Sequence, residues 1–412
     1  MIGSIWVRAL LFVIGLNSIT ISQESRPGDP AKEVPNRLAA SPDKRSEMVT
    51  QISAAIDRGI RFLRAQQDLT TGAVHFMPGN AKTRHPGVTA MAVTVFANAP
   101  RRYRSADGPF VRLPLEWLAS LQKPDGSIYE HDSANYVTSA ALLAFTTCGE
   151  KKWQPVIDRA LDYIVKVQCM EENGYRPGDK FFGGVGYGSS ERPDLSNTQF
   201  SLEAAHRAGL SKEHKLFKNA TVFLQRCQNL SEVNDQVWLS PEGEEVHPGN
   251  DGGAIYNPGE SKAGVEVLGD GRKVFKSYGS MSYALLKSYL FCGLDRNDPR
   301  VRAVAKWCAD HFDVEKHPGF EPGPKNNNQF QGLYYYYFSM SRALRVFGET
   351  EVKDQEGVAH DWRFRLAEYL LGQQQADGTF VNQKNGRWQE NSPILCTTYA
   401  LLALQECLAA LE

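Results

Sequence analysis

The stretch Tyr369–Phe380, YLLGQQQADGTF, decides the fold of this chain because its pattern recurs. An aromatic and an apolar residue are followed by Gln374, then by a glycine and a second aromatic residue. Trp117–Ile128, WLASLQKPDGSI, keeps this order except for the last aromatic. Shorter copies are Phe62–Gln67, Tyr163–Gln168, Phe223–Gln228 and, without the glutamine, Trp307–Phe312. Their spacing, from 46 residues (Trp117 to Tyr163) to 84 residues (Phe223 to Trp307), fits a helical hairpin with a variable loop.

Two kinds of helix alternate along these repeats. Each copy ends an amphipathic helix, as in residues 156–165, where apolar residues recur at helical spacing. An Asp-Gly or Asn-Gly loop usually follows, which supplies the positive φ values that end a helix. A second helix then begins with small or hydroxylated residues and continues in Ala and Leu, as in Val137–Leu143, Ser280–Leu286 and Cys396–Leu402.

These patterns predict an all-α fold, an α/α toroid of about six helical-hairpin repeats over residues 48–412. The small-residue helices should form an inner ring because they can pack on several sides, whereas the more charged helices should face solvent. We expect each repeated glutamine to hydrogen-bond backbone groups at the end of its own or the next helix. The aromatic residue one turn earlier should pack between hairpins.

The N-terminus predicts export. Arg8 precedes an apolar run, Ala9–Leu16, and Thr20 and Ser22 could occupy the −3 and −1 positions of a cleavage site. Residues 1–22 are therefore interpreted as a signal peptide and residues 23–47 as a linker, which places the mature protein in the periplasm or outside the cell. The alternative is an uncleaved anchor, but the run is shorter than the roughly 20 residues of a spanning helix. After cleavage we expect no transmembrane anchor.

Composition narrows the classes of partner. The chain has 46 basic and 47 acidic residues and no long Lys/Arg block, so we expect no nucleic-acid partner. Its seven cysteines are odd in number and lack metal-like spacing. We interpret them as side chains of the hydrophobic core, and a single disulfide among them is the alternative. The sequence leaves the oligomeric state open.

The repeat resembles the QW repeat of squalene and oxidosqualene cyclases and the related repeats of protein prenyltransferase β subunits. The resemblance covers about residues 50–412. Ser196–Phe200, Ser277–Met281 and Gln331–Tyr337 are similar to an exported bacterial branch of this superfamily, described as prenyltransferase or squalene-oxidase repeat proteins. The resemblance implies the α/α toroid, and it implies chemistry only where the families' catalytic residues are present.

Those catalytic residues are missing. Class II cyclases use a D-x-D-D motif, and the nearest acidic pair here, Asp295 and Asp298, lies between repeats. Prenyltransferases bind zinc through an Asp-x-Cys pair and a later His. In this chain Ser280-Met281-Ser282 occupies the position of the pair, and the position of the His falls near Cys396. One cysteine cannot supply the three donors of a catalytic zinc. We therefore expect no metal site and no cofactor.

The first turns of the inner helices, with the loops before them, should face one mouth of a central cavity. The predicted ligand-binding residues are Tyr136, Asn197, Tyr278, Ser280, Tyr334, Tyr337, Thr397 and Tyr399, and His85 also falls at this mouth. An aromatic wall could grip an apolar ligand or stabilise a cation, although each tyrosine could simply pack between helices.

Two carboxylates are candidate catalytic groups. Asp194 and Asp251 lie at or before the start of inner helices, where an aspartate is either an N-cap or a general acid or base. The insertion of residues 229–276 could cover the cavity as a lid or lie apart from it.

Three functions remain open on the sequence. The first is an exported toroid that binds an apolar or isoprenoid-like ligand in its cavity. The second is a cyclase- or prenyltransferase-like enzyme with different acid and base residues. The third is a protein-interaction scaffold or a carbohydrate-active helical barrel, and the QW-like repeats argue against the carbohydrate alternative.

Overall fold

The computed structural model describes residues 42–76, 84–188, 192–239, 243–323 and 327–412. Within these ranges the chain forms twelve α-helices and six short β-strands. The helices are α1 Pro42–Ala65, α2 Pro86–Asn98, α3 Pro109–Ser120, α4 Ala134–Cys148, α5 Gln154–Lys166, α6 Leu195–Arg207, α7 Lys215–Arg226, α8 Gly279–Phe291, α9 Pro299–Asp310, α10 Leu333–Phe347, α11 Trp362–Gln373 and α12 Pro393–Leu411.

The helices form two concentric rings. The even-numbered helices pack in the order α2, α4, α6, α8, α10 and α12, and α12 packs back on α2. Each odd-numbered helix packs outside this ring, and α1 closes the outer layer by contacting both α11 and α12. The predicted α/α toroid of six helical hairpins is therefore confirmed.

Residue type explains which helix lies in which ring. In the outer helix α5, the buried residues Val156, Ile157, Ala160, Tyr163 and Ile164 form one stripe. The inner helix α8 is buried on nearly all sides. The Ala/Leu positions of the inner helices, Leu142, Leu285 and Leu401, are fully buried. The repeat aromatics Trp117 and Tyr369 lie on the outer helices α3 and α11, as predicted.

The repeated glutamine joins neighbouring repeats. Nε2 of Gln122 donates to the Gly126 carbonyl in its own loop, at 3.2 Å, and to the Val156 carbonyl of the next outer helix, at 2.9 Å. Gln67, Gln168 and Gln228 make the same pair of bonds. Nε2 of Gln374 reaches Gly378 and Ala55, at 3.1 and 2.9 Å, and so links the last repeat to the first.

The loop glycine of the repeat is required by close backbone packing. Gly126 has φ +92°, and a Cβ there would lie 2.1 Å from the carbonyl oxygen of Arg159 on the next outer helix. Gly378 has φ +91°, with the Arg58 carbonyl 2.7 Å from the same position. Only glycine satisfies both the left-handed conformation and the contact.

The all-α prediction missed a small sheet in the insertion of residues 229–276. The strands are β1 Trp238–Leu239, β2 Glu245–His247, β3 Val265–Val267 and β4 Lys273–Phe275, in the order β1-β2-β4-β3. Only the β2–β4 pair is parallel. A hairpin of β5 Glu351–Lys353 and β6 Ala359–Asp361 precedes α11. Strands of two or three residues are too short to show a period-two pattern.

Three further predictions concern the ends and the cysteines. Within the described residues, helix α1 begins at Pro42, ahead of the predicted boundary at residue 48. The predicted signal peptide and most of the linker lie outside the described residues. In the described ranges, only α12 is long and apolar enough to cross a membrane, and 83% of that window is buried in the ring. All seven cysteines are free thiols, and six of them are buried.

Candidate functional site

A cavity of about 680 Å³ lies where the inner helices begin. Its wall comes from the first turns of all six inner helices and from the loops that precede them. Six tyrosines line it, namely Tyr136, Tyr187, Tyr256, Tyr278, Tyr335 and Tyr399. This volume lies within the range of pockets that hold a drug-sized molecule.

Five aromatic rings close the bottom of the cavity, and we call them the aromatic floor: Tyr136, Phe200, Tyr335, Phe338 and Tyr399. The Tyr136 and Phe200 ring centroids are 4.6 Å apart, and Phe338 stacks on Tyr399 at 5.6 Å. Phe200 and Phe338, 5.8 Å apart, also line a small pocket on the far side. The floor therefore separates the cavity from the opposite end of the ring.

Charged side chains lie beneath the floor. Nζ of the buried Lys287 donates to Glu203 at 2.8 Å and lies 5.4 Å from the Phe338 ring centroid. Arg342 bonds Glu203 at 2.7 Å and Glu406 at 2.9 Å. Burial alone would raise the pKa of Glu203, but the Lys287 and Arg342 charges hold it well below its usual range. This ionic network connects α6, α8, α10 and α12 and points away from the cavity.

Four of the predicted ligand-binding residues line the cavity: Tyr136, Tyr278, Ser280 and Tyr399. The hydroxyl oxygens of Tyr136 and Tyr399 lie 3.4 Å apart. The Ser280 backbone N–H donates to Nε2 of the buried His317 at 2.9 Å, which fixes the start of α8.

Tyr334 and Tyr337, which the sequence predicts to bind the ligand, do not line the cavity. The Tyr337 hydroxyl donates to the Val314 carbonyl at 2.7 Å, and Tyr334 packs edge-on against Tyr337 and Phe380. Tyr335, one residue and about 100° around the helix, lines the cavity instead. Its hydroxyl lies 2.7 Å from Ser196 Oγ, which positions the ring in the floor.

Asn197 and Thr397, which the sequence also predicts to bind the ligand, do not line the cavity but lie buried behind it. Nδ2 of Asn197 donates to Asp194 at 2.9 Å. The Thr397 hydroxyl accepts the Phe380 N–H at 2.9 Å. Thr138 makes the equivalent bond to Ile128, so the hydroxylated residue at the start of these inner helices anchors the preceding loop.

Asp194 is the N-cap of α6. Its Oδ1 accepts the Asn197 N–H at 2.8 Å, and burial raises the pKa of Asp194 to about 6 although these hydrogen bonds oppose the change. The carboxylate also interacts with Tyr256, whose ring lines the cavity. Asp194 therefore lies one side chain behind the cavity surface.

Asp251 lies in the loop after α7, away from the cavity lining. It accepts hydrogen bonds from Ser277 Oγ at 2.8 Å, from the Gly253 N–H at 2.9 Å and from Trp307 Nε1 at 3.2 Å. Burial raises its pKa. These bonds hold the loop against α9, so Asp251, a predicted candidate catalytic group, does not reach the cavity.

Glu390 is a buried carboxyl group at the cavity that the sequence interpretation missed. It lines the cavity, and its Oε1 accepts the Tyr334 and Tyr335 N–H groups at the start of α10, both at 2.9 Å. Asn382 Nδ2 donates to Oε2 at 2.7 Å. Burial raises the pKa of Glu390 to about 7, against these hydrogen bonds. The sequence signal for this role is its position in the loop just before α12, because the loops before the inner helices form the cavity mouth.

The residues before Glu390 have strained backbone. Trp388 and Gln389 line the cavity with φ values of 56° and 65°. Such conformations cost non-glycine residues roughly 1–3 kcal/mol each and concentrate at functional sites. The Trp388 ring lies against Gly332, where a Cβ would be 2.5 Å from it. Gly332 thus makes room for this wall of the cavity.

Solved structures share this architecture at low sequence identity. A variant of the type II terpene cyclase MstE from Scytonema, in complex with geranylgeranyl dihydroxybenzoate, is 14% identical, with a TM-score of 0.53 over 89% of this chain and 99% of the cyclase chain. This chain has the fold of the type II terpene cyclases. Apo MstE gives 0.51 at 12% identity, over 88% of this chain and 99% of that one.

A D-mannose isomerase has the same type of fold. It matches with a TM-score of 0.54 at 12% identity, over 90% of this chain and 100% of the isomerase chain. No protein-family model and no curated protein matches the sequence. These likenesses establish the terpene-cyclase-like toroid, and the chemistry has to be argued from the residues of the cavity.

Proposed function

We propose that this chain is an exported α/α-toroid protein that binds an apolar, isoprenoid-like small molecule in its central cavity. The aromatic floor carries this proposal. Tyr136, Tyr335 and Tyr399 present ring surface to a cavity large enough for a polyprenyl chain, and Met91 and Met281 add apolar wall. Burial of apolar ligand surface on such rings is favourable by roughly 25 cal/mol per Å².

The structural neighbours support this choice of ligand. The MstE structure is a complex with geranylgeranyl dihydroxybenzoate, so a toroid of this type can bind an isoprenoid chain with an oxygen-bearing ring. Export rests on the N-terminal sequence, Arg8 followed by the apolar run Ala9–Leu16. Neither the binding nor the export depends on the D-x-D-D motif that the chain lacks.

The binding experiment compares two tyrosines of α10 that are two positions apart, Tyr335 and Tyr337. Tyr335 lines the cavity and is half-buried, whereas Tyr337 is buried and its hydroxyl donates to the Val314 carbonyl outside the cavity. Geranylgeraniol is titrated calorimetrically into the wild type, Tyr335→Leu and Tyr337→Leu. Aromatic contacts contribute about 0.5–1.5 kcal/mol, so Tyr335→Leu should weaken binding about two- to tenfold, and Tyr337→Leu should leave it unchanged.

Binding of mannose in place of geranylgeraniol would favour the carbohydrate alternative that the isomerase likeness represents. Equal losses in the two tyrosine variants would place the ligand outside the cavity. If the wild type binds no polyprenyl, hopanoid or glycan probe, the proposal is refuted. The outer rim of the ring would then be the surface to examine for binding.

A specific observation favours a second candidate, an enzyme that protonates its ligand. Glu390 is a buried carboxyl group at the cavity surface whose pKa is raised to about 7, so about half of it is protonated at neutral pH. A general acid needs this combination of proton and access. Incubation with geranylgeraniol or an epoxidised polyprene, followed by mass spectrometry and NMR of the products, tests it. Turnover by the wild type that Glu390→Gln abolishes would establish the enzyme.

A further inference from the structure

One histidine at the cavity has a fixed tautomer. His85 is the N-cap of α2, and its Nδ1 accepts the backbone N–H groups of Gly87 at 3.1 Å and Val88 at 3.4 Å. Both partners are donors, so Nδ1 carries no proton and the neutral ring carries its proton on Nε2. Since His85 lines the cavity, its proton position bears on the ligand.

The imidazole is held in its neutral form. A second proton would have to sit on Nδ1, directly opposite two backbone N–H donors, and would break both capping bonds. Burial lowers the pKa of His85 and so also favours the neutral ring, whereas the nearby Asp132 raises this pKa less strongly. In the described ranges, no hydrogen bond occupies Nε2. The ring therefore offers one uncharged N–H donor that the described residues around it leave unused.

The charged groups around the cavity argue against an anionic ligand. Arg84 lines the cavity but pairs with Glu130 at 3.1 Å. Lys262 lines it and pairs with Glu260, which also bonds Arg192 at 2.6 Å. Asp132 and Glu390 add carboxyl groups to the wall. A diphosphate would have to displace these carboxylates from their cations, whereas an uncharged oxygen would not.

We propose that His85 recognises the polar end of the ligand by donating Nε2–H to an uncharged oxygen, such as a hydroxyl, carbonyl or epoxide oxygen. This inference rests on the proposed function, because it names the end group of the ligand held by the aromatic floor. His85 acts here as a specificity-determining residue: it favours a neutral oxygenated isoprenoid over the corresponding hydrocarbon and over the diphosphate.

The test uses three probes with one hydrocarbon skeleton: geranylgeraniol, geranylgeranyl diphosphate and the parent tetraene hydrocarbon. The variant is His85→Asn, because asparagine caps a helix well but presents no N–H at the position of Nε2. His214→Asn is the matched control. His214 caps the outer helix α7 in the same way, with Nδ1 accepting the Leu216 N–H at 3.1 Å, and it does not line the cavity.

We expect the wild type to bind the alcohol about two- to tenfold more tightly than the hydrocarbon, which is what one hydrogen bond contributes, and also more tightly than the diphosphate. His85→Asn should remove the preference for the alcohol over the hydrocarbon and leave hydrocarbon binding unchanged, while His214→Asn should alter neither. ¹⁵N-detected NMR of the wild type should show His85 as the Nε2–H tautomer from pH 6 to 8. Loss of ligand affinity in both histidine variants would indicate a capping effect alone and overturn the inference.

The two proposals fail in different ways. If the wild type binds the alcohol and the hydrocarbon equally, or the diphosphate most tightly, the cavity proposal stands and the role of His85 is wrong. If the wild type binds none of the three probes while NMR shows the Nε2–H tautomer, the isoprenoid proposal fails. The proposed role of His85 in recognising the end group of the ligand then fails as well.

Discussion

Replacing Glu390 with glutamine should change how the stability of the protein depends on pH. Burial raises the pKa of Glu390 from an ordinary 4.5 to about 7. The folded state therefore holds this proton more tightly than the unfolded state. The resulting stabilisation is complete below about pH 4.5 and is lost as the pH rises through 7. Between pH 5 and 8 the loss amounts to about 2.5 kcal/mol, from 1.36 kcal/mol per pKa unit.

Urea denaturation of the wild type and Glu390→Gln at pH 5 and pH 8 measures this loss. The variant should lose about 2.5 kcal/mol less than the wild type between the two pH values. Glutamine also brings an N–H₂ group towards Asn382 Nδ2, a donor, which costs roughly 1–3 kcal/mol at every pH and cancels in the comparison. Glu116→Gln, on the exposed surface of α3, is the control. Identical pH dependence in wild type and Glu390→Gln would refute the buried, protonated carboxyl group.

Three other substitutions test the packing that supports the cavity. Gln374→Leu removes the bonds that close the ring and should cost roughly 1–3 kcal/mol in urea denaturation, whereas no loss would mean that closure rests on helix packing alone. Lys287→Met removes one cation of the Glu203 network and should lower the free energy of unfolding by about 3–5 kcal/mol. Adding Glu203→Gln should restore part of this loss, and an unchanged stability of Lys287→Met would contradict the buried ion pair. Gly126→Ala should destabilise the protein more than Gly174→Ala. Both glycines have positive φ, but only at Gly126 would a Cβ lie 2.1 Å from a carbonyl oxygen. Equal melting temperatures would show that the backbone shifts to accommodate the Cβ.

The repeat pattern predicted the ring because each of its residues has a local, recurring partner. Gln122 and Gln374 bond the same two kinds of carbonyl in different repeats, and Gly126 and Gly378 meet the same part of the next helix. Such contacts repeat with the sequence. The number of hairpins and the choice of inner and outer helices followed from them.

The cavity lining was predicted less well because it depends on helix rotation and on loop paths. Tyr334, Tyr335 and Tyr337 are consecutive or nearly so, and only the packing of α10 decides that Tyr335 faces inward. Asp251 precedes an inner helix in sequence, but its loop turns outward to Trp307. Glu390 enters the cavity through a strained loop that no periodic pattern describes.

A crystal structure of the protein soaked with geranylgeraniol tests the central proposal most directly. The account predicts density for the polyprenyl chain against Tyr136, Tyr335 and Tyr399, with the alcohol oxygen within hydrogen-bond distance of His85 Nε2. Density on the outer surface, or an unoccupied cavity in crystals at saturating ligand, would contradict it.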